Sequence, residues 1–237
     1  MIKAVLFDFG QTLANSANGF RAAEKEAQIK IYSNLSLTSW ETFISSYRRI
    51  RRECHEKSIL SRKAIWQAVY LHFNRKPDLG CTEKWENGYW DTVKAHTTPF
   101  PEAVQVLGDL AVEYQLALIT NTQGQRASDN HRISSFPELE RFFKVIIVAG
   151  ESGVPPKPDA APFRLCLERL GVGPAEAVFV GDDWRIDICG ASDAGIRPIW
   201  IKHYSVRRSW PEVETTAPVI TSLNQLRGLI RTDLKTF

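Results

Sequence analysis

The feature that most constrains the fold is an apolar run that ends in an acid. Residues 4–7 read AVLF, and Asp8 follows them shortly before Gly10. A short apolar run closed by a turn signal is typical of a strand buried on both faces of a parallel sheet. Ligands bind outside the carboxyl ends of the strands in such sheets. Asp8 is therefore expected where binding sites form, although an acid at this place also serves as a simple turn cap.

Further apolar runs follow the first, and segments with helical spacing lie between them. Strands that alternate with helices indicate βαβ units and a parallel sheet. Right-handed crossovers then bring the carboxyl ends of the strands to one edge. We therefore predict an α/β protein with a Rossmann-like parallel sheet. Its later strands are expected at residues 116–119, 145–148, 177–180, 198–201 and 219–220.

Glycines mark where helices of this sheet domain end. Gly171 follows one periodic segment and Gly195 follows another, and glycine is the residue most often found just beyond a helix. These signals predict helices at residues 103–113, 162–170, 186–194 and 223–230, with a helix or loop at 123–135.

The long segment between residues 20 and 95 shows helical spacing throughout. Its apolar and aromatic residues recur every three or four positions in four stripes. Thr38 and Glu41 have the spacing of a capping box that opens the second helix, and residues 74–80 separate the third helix from the fourth. We predict a helical-bundle cap domain over residues 15–96, inserted into a sheet domain that comprises residues 1–14 and 97–237.

The charge balance argues against several classes of partner. Lys and Arg number 30 against 27 Asp and Glu, a net charge of +3, which is too small to indicate a nucleic acid or membrane partner. No apolar run approaches the ~20 residues needed to span a bilayer. The cysteines are scattered without a CxxC pair, as expected of free thiols in a reducing compartment, so we predict a cytoplasmic protein. They are Cys54, Cys81, Cys166 and Cys189.

Side chains that carry chemistry follow the predicted strands. Carboxylates from two strand ends make a hard-oxygen site that suits Mg²⁺. A hydroxyl and an ammonium suit phosphate oxygens, and a carboxylate is a known nucleophile for phosphoryl groups. If the strands are parallel, all of these groups converge on one edge of the sheet. They are Asp8, Thr120, Lys157, Asp182, Asp183 and Asp187.

In this order the motifs resemble those of the haloacid dehalogenase superfamily, in the branch that carries a helical cap after the first motif. The resemblance covers nearly the whole chain and implies a phosphatase-like hydrolase that acts on a small phosphorylated substrate. It makes Asp8 the nucleophile, which attacks phosphorus and forms an aspartyl-phosphate. It also makes Thr120 and Asn121 phosphoryl-binding residues, and Lys157 the residue that steadies both nucleophile and phosphoryl charge. Gln11, beside the nucleophile, is a further candidate substrate-binding residue.

The resemblance also implies a Mg²⁺ cofactor. Its ligands would be Asp8, the backbone carbonyl of Gly10 and Asp182. Asp187 would act as a further ligand or as support for one, and Asp183 fits either place. Phosphoryl transfer depends mainly on positioning and charge stabilisation, so these groups supply most of what the reaction needs.

One position departs from the pattern of the family's phosphatases. They carry a second Asp two residues after the nucleophile, where this chain has Gly10. That acid protonates the leaving oxygen and later activates water, and general acid–base help contributes about 10²–10⁴-fold.

Three functions remain open on the sequence alone. The first is a Mg²⁺-dependent phosphatase. The second is a 2-haloacid dehalogenase, because relatives of that kind also lack the second Asp. However, they usually replace the acids of the family's fourth motif (the motif-four acids, here Asp182, Asp183 and Asp187) with Ser and Asn, and they need no metal. The third is a non-catalytic phosphate-binding protein. The intact acids Asp182, Asp183 and Asp187 favour the phosphatase over the dehalogenase.

Overall fold

The structure is a computed structural model that describes residues 1–122 and 132–232. The chain folds as two compact units. The first holds Met1–Ala17, Thr98–Asn121 and the described residues from 132 onward, and the second holds Asn18–Thr97. Most of the segment 123–135, for which a helix or loop is expected, lies outside the described residues. Its last four, Arg132–Ser135, form a 3₁₀ turn.

The first unit is built on a parallel sheet, which confirms the predicted α/β class. The strands are β1 (Ala4–Phe7), β2 (Ala14–Asn15), β3 (Thr98–Pro99), β4 (Gln115–Asn121), β5 (Val145–Ala149), β6 (Ala177–Gly181), β7 (Arg197–Ile201) and β8 (Val219–Ile220). Among these, all except β2 and β3 join the parallel sheet, in the order β5-β4-β1-β6-β7-β8. The predicted strands agree with the observed ones to within two residues at either end.

Helices make up most of the remaining regular structure. Four of them, α1 to α4, account for most of the second unit, and the others belong to the first. They are α1 (Ala17–Leu35), α2 (Trp40–Glu56), α3 (Arg62–His72), α4 (Leu79–Ala95), α5 (Ala103–Ala111), α6 (Pro137–Glu140), α7 (Ala161–Leu170), α8 (Gly190–Asp193) and α9 (Leu226–Thr232). Among the described residues, no helix combines the length and the apolar character that crossing a bilayer requires.

Strand β1 lies between β4 and β6. Ala4 pairs with Gln115 of β4 on one side and with Ala177 of β6 on the other. Because all three strands are parallel, their carboxyl ends lie side by side. Asp8 and the residues that end β4 and β6 therefore meet at one edge of the sheet, where ligands bind in folds of this class.

The sheet is buried on both faces, which explains its continuous apolar runs. Val5 and Phe7 pack into a cluster that includes α5 and α9, whereas Ala4 and Leu6 pack into a second cluster with α7 and α8. All four side chains are fully buried. Alternate residues of a strand point to opposite faces, so a strand covered by helices on both sides carries apolar residues at every position.

Three of the four helices predicted for this unit differ from the observed ones. The helix predicted for residues 223–230 begins with a 3₁₀ turn, Leu223–Gln225, before α9. Gly171 ends α7 with φ of 68°, as its position predicts. Helix α5 ends at Ala111, two residues before the predicted end. The helix predicted for residues 186–194 is instead a π-helical turn, Trp184–Cys189, followed by α8.

A short two-stranded antiparallel sheet lies where the chain leaves the first unit and where it returns. Ala14 pairs with Pro99 and Asn15 with Thr98. The sequence predicts only linkers at these positions, because two-residue strands are too short to show an alternating pattern. This strand pair holds the chain that leaves the motif around Asp8 beside the chain that returns to the parallel sheet.

The second unit contains the four predicted helices, whose stripes face a common core that includes Ile31, Phe43 and Trp66. The capping-box prediction at Thr38 is wrong. Ser39 caps α2, because its hydroxyl accepts a hydrogen bond from the backbone N–H of Thr42 at 3.2 Å. Asp78 caps α4 in the same way, so the break before this helix ends two residues earlier than predicted.

Candidate active site

The carboxylate of Asp8 follows the last residue of β1 directly. Its backbone N–H donates to the carbonyl of Val180 at 2.9 Å, which ties the end of β1 to the end of β6. The side chain is 13% exposed, so one face of the carboxylate is reachable from solvent. Lys157 Nζ donates to its Oδ1 at 2.9 Å. The nucleophile candidate is thus held by a cation while remaining accessible.

Lys157 occupies the centre of the cluster. Its Nζ donates to Asp8, to Asp187 Oδ1 at 2.6 Å and to the carbonyl of Ile119 at 2.8 Å. The side chain is 1% exposed. Burial lowers the pKa of Lys157, but the carboxylates of Asp187 and Asp8 outweigh burial and raise this pKa above its usual value. Lys157 is therefore a fixed positive charge between two acids.

The side chain of Asn121 positions Lys157. The Lys157 backbone N–H donates to Asn121 Oδ1 at 2.8 Å, and Asn121 Nδ2 donates back to the Lys157 carbonyl at 3.0 Å. This double contact links the end of β4 to the loop before α7. The contacts of Asn121, for which the resemblance implies phosphoryl binding, are therefore with the backbone of the lysine.

The turn after β6 explains the spacing of the motif-four acids. Asp187 Oδ2 accepts the backbone N–H groups of Asp182 at 3.1 Å and Asp183 at 3.0 Å. The π-helical turn allows this return, because the carbonyl of Asp183 accepts from both Asp187 and Ile188. A Cβ on Gly181 would lie 2.4 Å from the Cβ of Asp187. Only glycine fits at position 181, so the Gly-Asp-Asp sequence and the later Asp form one structural unit.

Arg208 is a site residue that sequence reasoning missed. Its Nη1 lies 2.5 Å from Asp182 Oδ2, and its Nη2 lies 3.7 Å from Asp183 Oδ2. Its guanidinium stacks over the ring of Trp210, and Trp200 Nε1 donates to the carbonyl of Asp182. Arg208 lies in the long loop between β7 and β8, where no periodic pattern or motif marks a residue as functional.

The carboxylates of this edge crowd one another. Oxygens of Asp8, Asp182 and Asp187 all lie within 4.8 Å of one another. Burial raises the pKa of Asp182 well above its usual value, and repulsion from Asp187 and Asp8 adds to the rise, against the opposing charge of Arg208. In the described part of the site, four carboxylates including Asp183 meet two paired cations, Lys157 and Arg208. A divalent cation with oxygen ligands fits this excess of negative charge.

The remaining predicted residues lie in β4 and in the turn that follows Asp8. Thr120 is the second-last residue of β4 and is 2% exposed. Gln11 follows in the turn with φ of 61°, and its buried Oε1 accepts no hydrogen bond from the described residues. Gly10 forms an isolated bridge with Ala14. Thr120 and Gln11 thus lie on two of the segments that meet beside the nucleophile.

A family model described as a haloacid dehalogenase-like hydrolase matches residues 2–195. This match covers most of the chain, so the protein belongs to the haloacid dehalogenase-like hydrolases. The resemblance inferred from the four motifs is confirmed.

Two of the curated relatives that the chain resembles are named as phosphatases. The chain is 28% identical over 239 residues to a glyceraldehyde 3-phosphate phosphatase of Methanothermobacter thermautotrophicus, covering 97% of this chain and 100% of the relative. It is 27% identical over 218 residues to the N-acylneuraminate-9-phosphatase of Rattus norvegicus, covering 84% and 82%.

Solved structures with the same fold include both a phosphatase and a dehalogenase. A phosphatase of this superfamily from Thermococcus onnurineus superposes with a TM-score of 0.70 at 23% identity, covering 97% of this chain and 98% of the other. A 2-haloacid dehalogenase from Pseudomonas syringae superposes with a TM-score of 0.67 at 27% identity, covering 98% and 99%. Because the two activities share one fold, the choice between them depends on the site residues.

Proposed function

We propose that the protein is a Mg²⁺-dependent phosphatase that hydrolyses a small phosphorylated metabolite through an aspartyl-phosphate on Asp8. The observation that carries this proposal is the crowding of Asp8, Asp182 and Asp187 within 4.8 Å around the buried Lys157. A displacement at carbon by a lone carboxylate needs no such excess of acids. A phosphoryl transfer with a hard divalent cation does.

In the first step, an oxygen of Asp8 forms a bond to phosphorus as the bond from phosphorus to the leaving oxygen breaks. Lys157 holds the Asp8 carboxylate in place and places its charge beside the phosphoryl oxygens. Thr120 offers a hydroxyl to the same oxygens from the end of β4. In the second step, water attacks phosphorus and releases phosphate and the free Asp8 carboxylate. Such fixed charges and donors are the main source of catalysis in phosphoryl transfer.

The metal ligands that we propose are Asp8, the backbone carbonyl of Gly10 and Asp182. When bound there, Mg²⁺ supplies positive charge that offsets the repulsion between nucleophile and phosphoryl oxygens. Asp187 is assigned to support, because Lys157 and two backbone N–H groups already engage both of its oxygens. Asp183 is assigned to the same role, because it caps the following turn through Ile186.

The test is a screen of phosphorylated metabolites with Mg²⁺ and with a chelator. It begins with the substrates named for the two relatives, a sugar-acid 9-phosphate and glyceraldehyde 3-phosphate. Release of phosphate that requires Mg²⁺ and disappears in Asp8→Asn supports the proposal. Metal-independent release of chloride from chloroacetate by the wild type would replace it with the dehalogenase, and binding of phosphate esters without turnover would replace it with the non-catalytic binder. As the scattered cysteines suggest, the proposed place of action is the cytoplasm.

A further inference from the structure

A buried arginine lies where the side chain of residue 10 would reach. A Cβ built on Gly10 would lie 3.5 Å from Nη2 and 3.7 Å from Nη1 of Arg132. Arg132 is 2% exposed, its Nη1 donates to Ser16 Oγ at 3.1 Å, and its guanidinium stacks over the ring of Phe9 at 5.3 Å. The sequence gives no sign of this residue, because 116 positions separate it from its hydrogen-bond partner.

The position of this guanidinium matters because Gly10 is close to the nucleophile. Two residues of extended chain span at most about 7 Å, so Arg132 lies within reach of a substrate whose phosphorus contacts Asp8. The acid that phosphatases of this family carry at position 10 acts on the leaving oxygen. Here the corresponding space adjoins a buried positive charge.

We propose that Arg132 contacts the leaving group of the substrate and stabilises its departing oxygen as an anion. This inference rests on the proposed phosphatase function. As Asp8 forms its bond to phosphorus, the electron pair of the breaking bond moves to the leaving oxygen, against the guanidinium. Arg132 donates hydrogen bonds but transfers no proton, since arginine stays protonated in proteins. The leaving oxygen takes its proton from water after release.

This chemistry predicts a steep dependence of rate on the pKa of the leaving group. Acyl, anomeric and aryl phosphates are expected to react faster than simple alkyl phosphates by a larger factor than in an enzyme with an acid at position 10. The measurement is kcat/KM for a series of aryl and alkyl phosphates, with chemistry shown to limit the rate. A flat series in the wild type would mean that another residue supplies a proton, and would overturn the assignment to Arg132.

The variant that tests the residue itself is Arg132→Met. Its rates are expected to fall by about 10²-fold for alkyl phosphates and by much less for aryl phosphates with good leaving groups, so that the slope of the series steepens. Arg132→Lys keeps the charge, so its rates with alkyl phosphates are expected to lie between those of the wild type and of Arg132→Met. The matched control is Arg141→Met, which removes another guanidinium stacked on a phenyl ring, that of Phe142 at 4.8 Å, and is expected to leave the slope unchanged.

Loss of packing is separated from loss of charge by chemical rescue. In Arg132→Ala, millimolar guanidinium ion is expected to restore the rate with alkyl phosphates and to change little with acyl phosphates. An equal loss across the whole series without rescue would show a structural residue only. Phosphatase activity that depends on Asp8 but is indifferent to Arg132 would overturn this inference alone, whereas absence of any phosphatase activity would overturn the proposed function.

Gly10→Asp is a second test, since the structure leaves room for it. Gly10 does not have a positive φ, and its nearest neighbours are the ends of a flexible arginine. The new carboxylate is expected to pair with Arg132 and to lose that pairing in the double variant Gly10→Asp with Arg132→Met. The effects of the two substitutions on unfolding free energy are expected to be non-additive, because contacting residues are coupled. Additive effects would mean that the guanidinium does not face position 10.

Discussion

Each unit of the molecule buries a cluster of charged groups, and the two clusters differ in their balance. In the sheet unit, the acids around Lys157 outnumber the cations paired with them. In the helical unit, one carboxylate, Glu24, meets Arg51 at 3.2 Å and the hydroxyl of Tyr89 at 3.1 Å. The guanidinium of Arg62, 4% exposed, lies over the ring of Tyr89 at 5.1 Å.

The pKa shifts of the two clusters run in opposite directions. Burial alone raises the pKa of Glu24, but Arg62 and Arg51, with hydrogen bonds from two tyrosines, bring this pKa below its usual value. The pKa of Asp182 rises, because burial acts there together with repulsion from Asp187 and Asp8. The charges around Glu24 balance one another, as in an ion-pair network with a structural role. The cluster around Lys157 keeps an excess of negative charge and raised carboxyl pKa values, which are typical of functional sites.

The sharpest contrast is expected at Asp8. Asp8→Asn keeps the shape of the side chain but removes the nucleophilic charge, so turnover is expected to fall by at least about 10⁴-fold. The variant also relieves repulsion with Asp182 and Asp187, so its unfolding temperature is expected to equal or exceed that of the wild type. Steady-state kinetics and a thermal melt check both. Retained turnover would mean that this cluster is not the active site.

The opposite pattern is expected at Glu24. Glu24→Gln removes the carboxylate that pairs with Arg51 and whose charge acts on buried Arg62, and the loss is expected to cost about 2 kcal/mol of unfolding free energy. The charge chemistry of the sheet unit is untouched, so kcat at permissive temperature is expected to stay within a fewfold of wild type. Glu53→Gln, which removes an exposed pair with Arg49, is the control and is expected to cost no more than about 0.5 kcal/mol.

The cost of Glu24→Gln is expected to depend on pH. A carboxyl whose folded pKa lies below its unfolded value contributes stability that is present above the unfolded pKa, near 4.5, and is lost as pH falls through the folded pKa. The difference in unfolding free energy between wild type and Glu24→Gln is therefore expected to shrink as pH falls below about 4.5. Urea melts at several pH values measure it, and a difference that grows on acidification would contradict the assigned charge state of Glu24.

The effect of Mg²⁺ on unfolding free energy is expected to distinguish the two clusters without a measurement of turnover. Bound only by the folded protein, it is expected to raise the unfolding free energy by about 2.7 kcal/mol at a concentration one hundred times its Kd. Asp182→Asn should abolish this stabilisation, and Glu24→Gln should keep it. A Mg²⁺ effect of equal size in Asp182→Asn would place the ion elsewhere.

The two clusters also show what a sequence reveals. The strand before Asp8, Thr120 and the acids after β6 could be predicted because each follows an apolar run, and parallel strands share an edge. The charge balance of the helical cluster could not be predicted. Glu24 follows Ala23 directly, and the spacing that identifies this helix marks only its apolar residues. Lys157 was predicted, but two arginines were missed for a different reason. Arg208 and Arg132 reach their partners across 26 and 116 positions, distances over which local spacing carries no information.

The π-helical turn illustrates the same limit at short range. Periodicity predicted an ordinary helix from residue 186, since a single wide turn does not change the spacing of apolar residues. The turn brings both oxygens of Asp187 into the cluster, where Lys157 and the N–H groups of Asp182 and Asp183 donate to them. Such insertions concentrate at functional sites. The hydrogen bonds of Asp187 accompany this wide turn, and no residue type within the turn predicts it.

The smallest expected effect is the change in Mg²⁺ affinity when Arg208 is replaced. Its guanidinium pairs with Asp182, a proposed Mg²⁺ ligand, and is about one-third exposed, so solvent weakens the pairing. Removing it in Arg208→Gln leaves Asp182 to the metal alone, and Mg²⁺ affinity is expected to rise about three- to tenfold, worth about 1 kcal/mol. Tryptophan fluorescence reports binding directly, because the guanidinium stacks on Trp210 and Trp200 donates to the Asp182 carbonyl.

The control is Arg227→Gln, whose arginine pairs with Glu113 instead. Weaker Mg²⁺ binding in Arg208→Gln, with no change in Arg227→Gln, would contradict this expectation. Arg208 would then orient Asp182 for the ion, and the cluster of the sheet unit would depend on its paired cations as the helical cluster does.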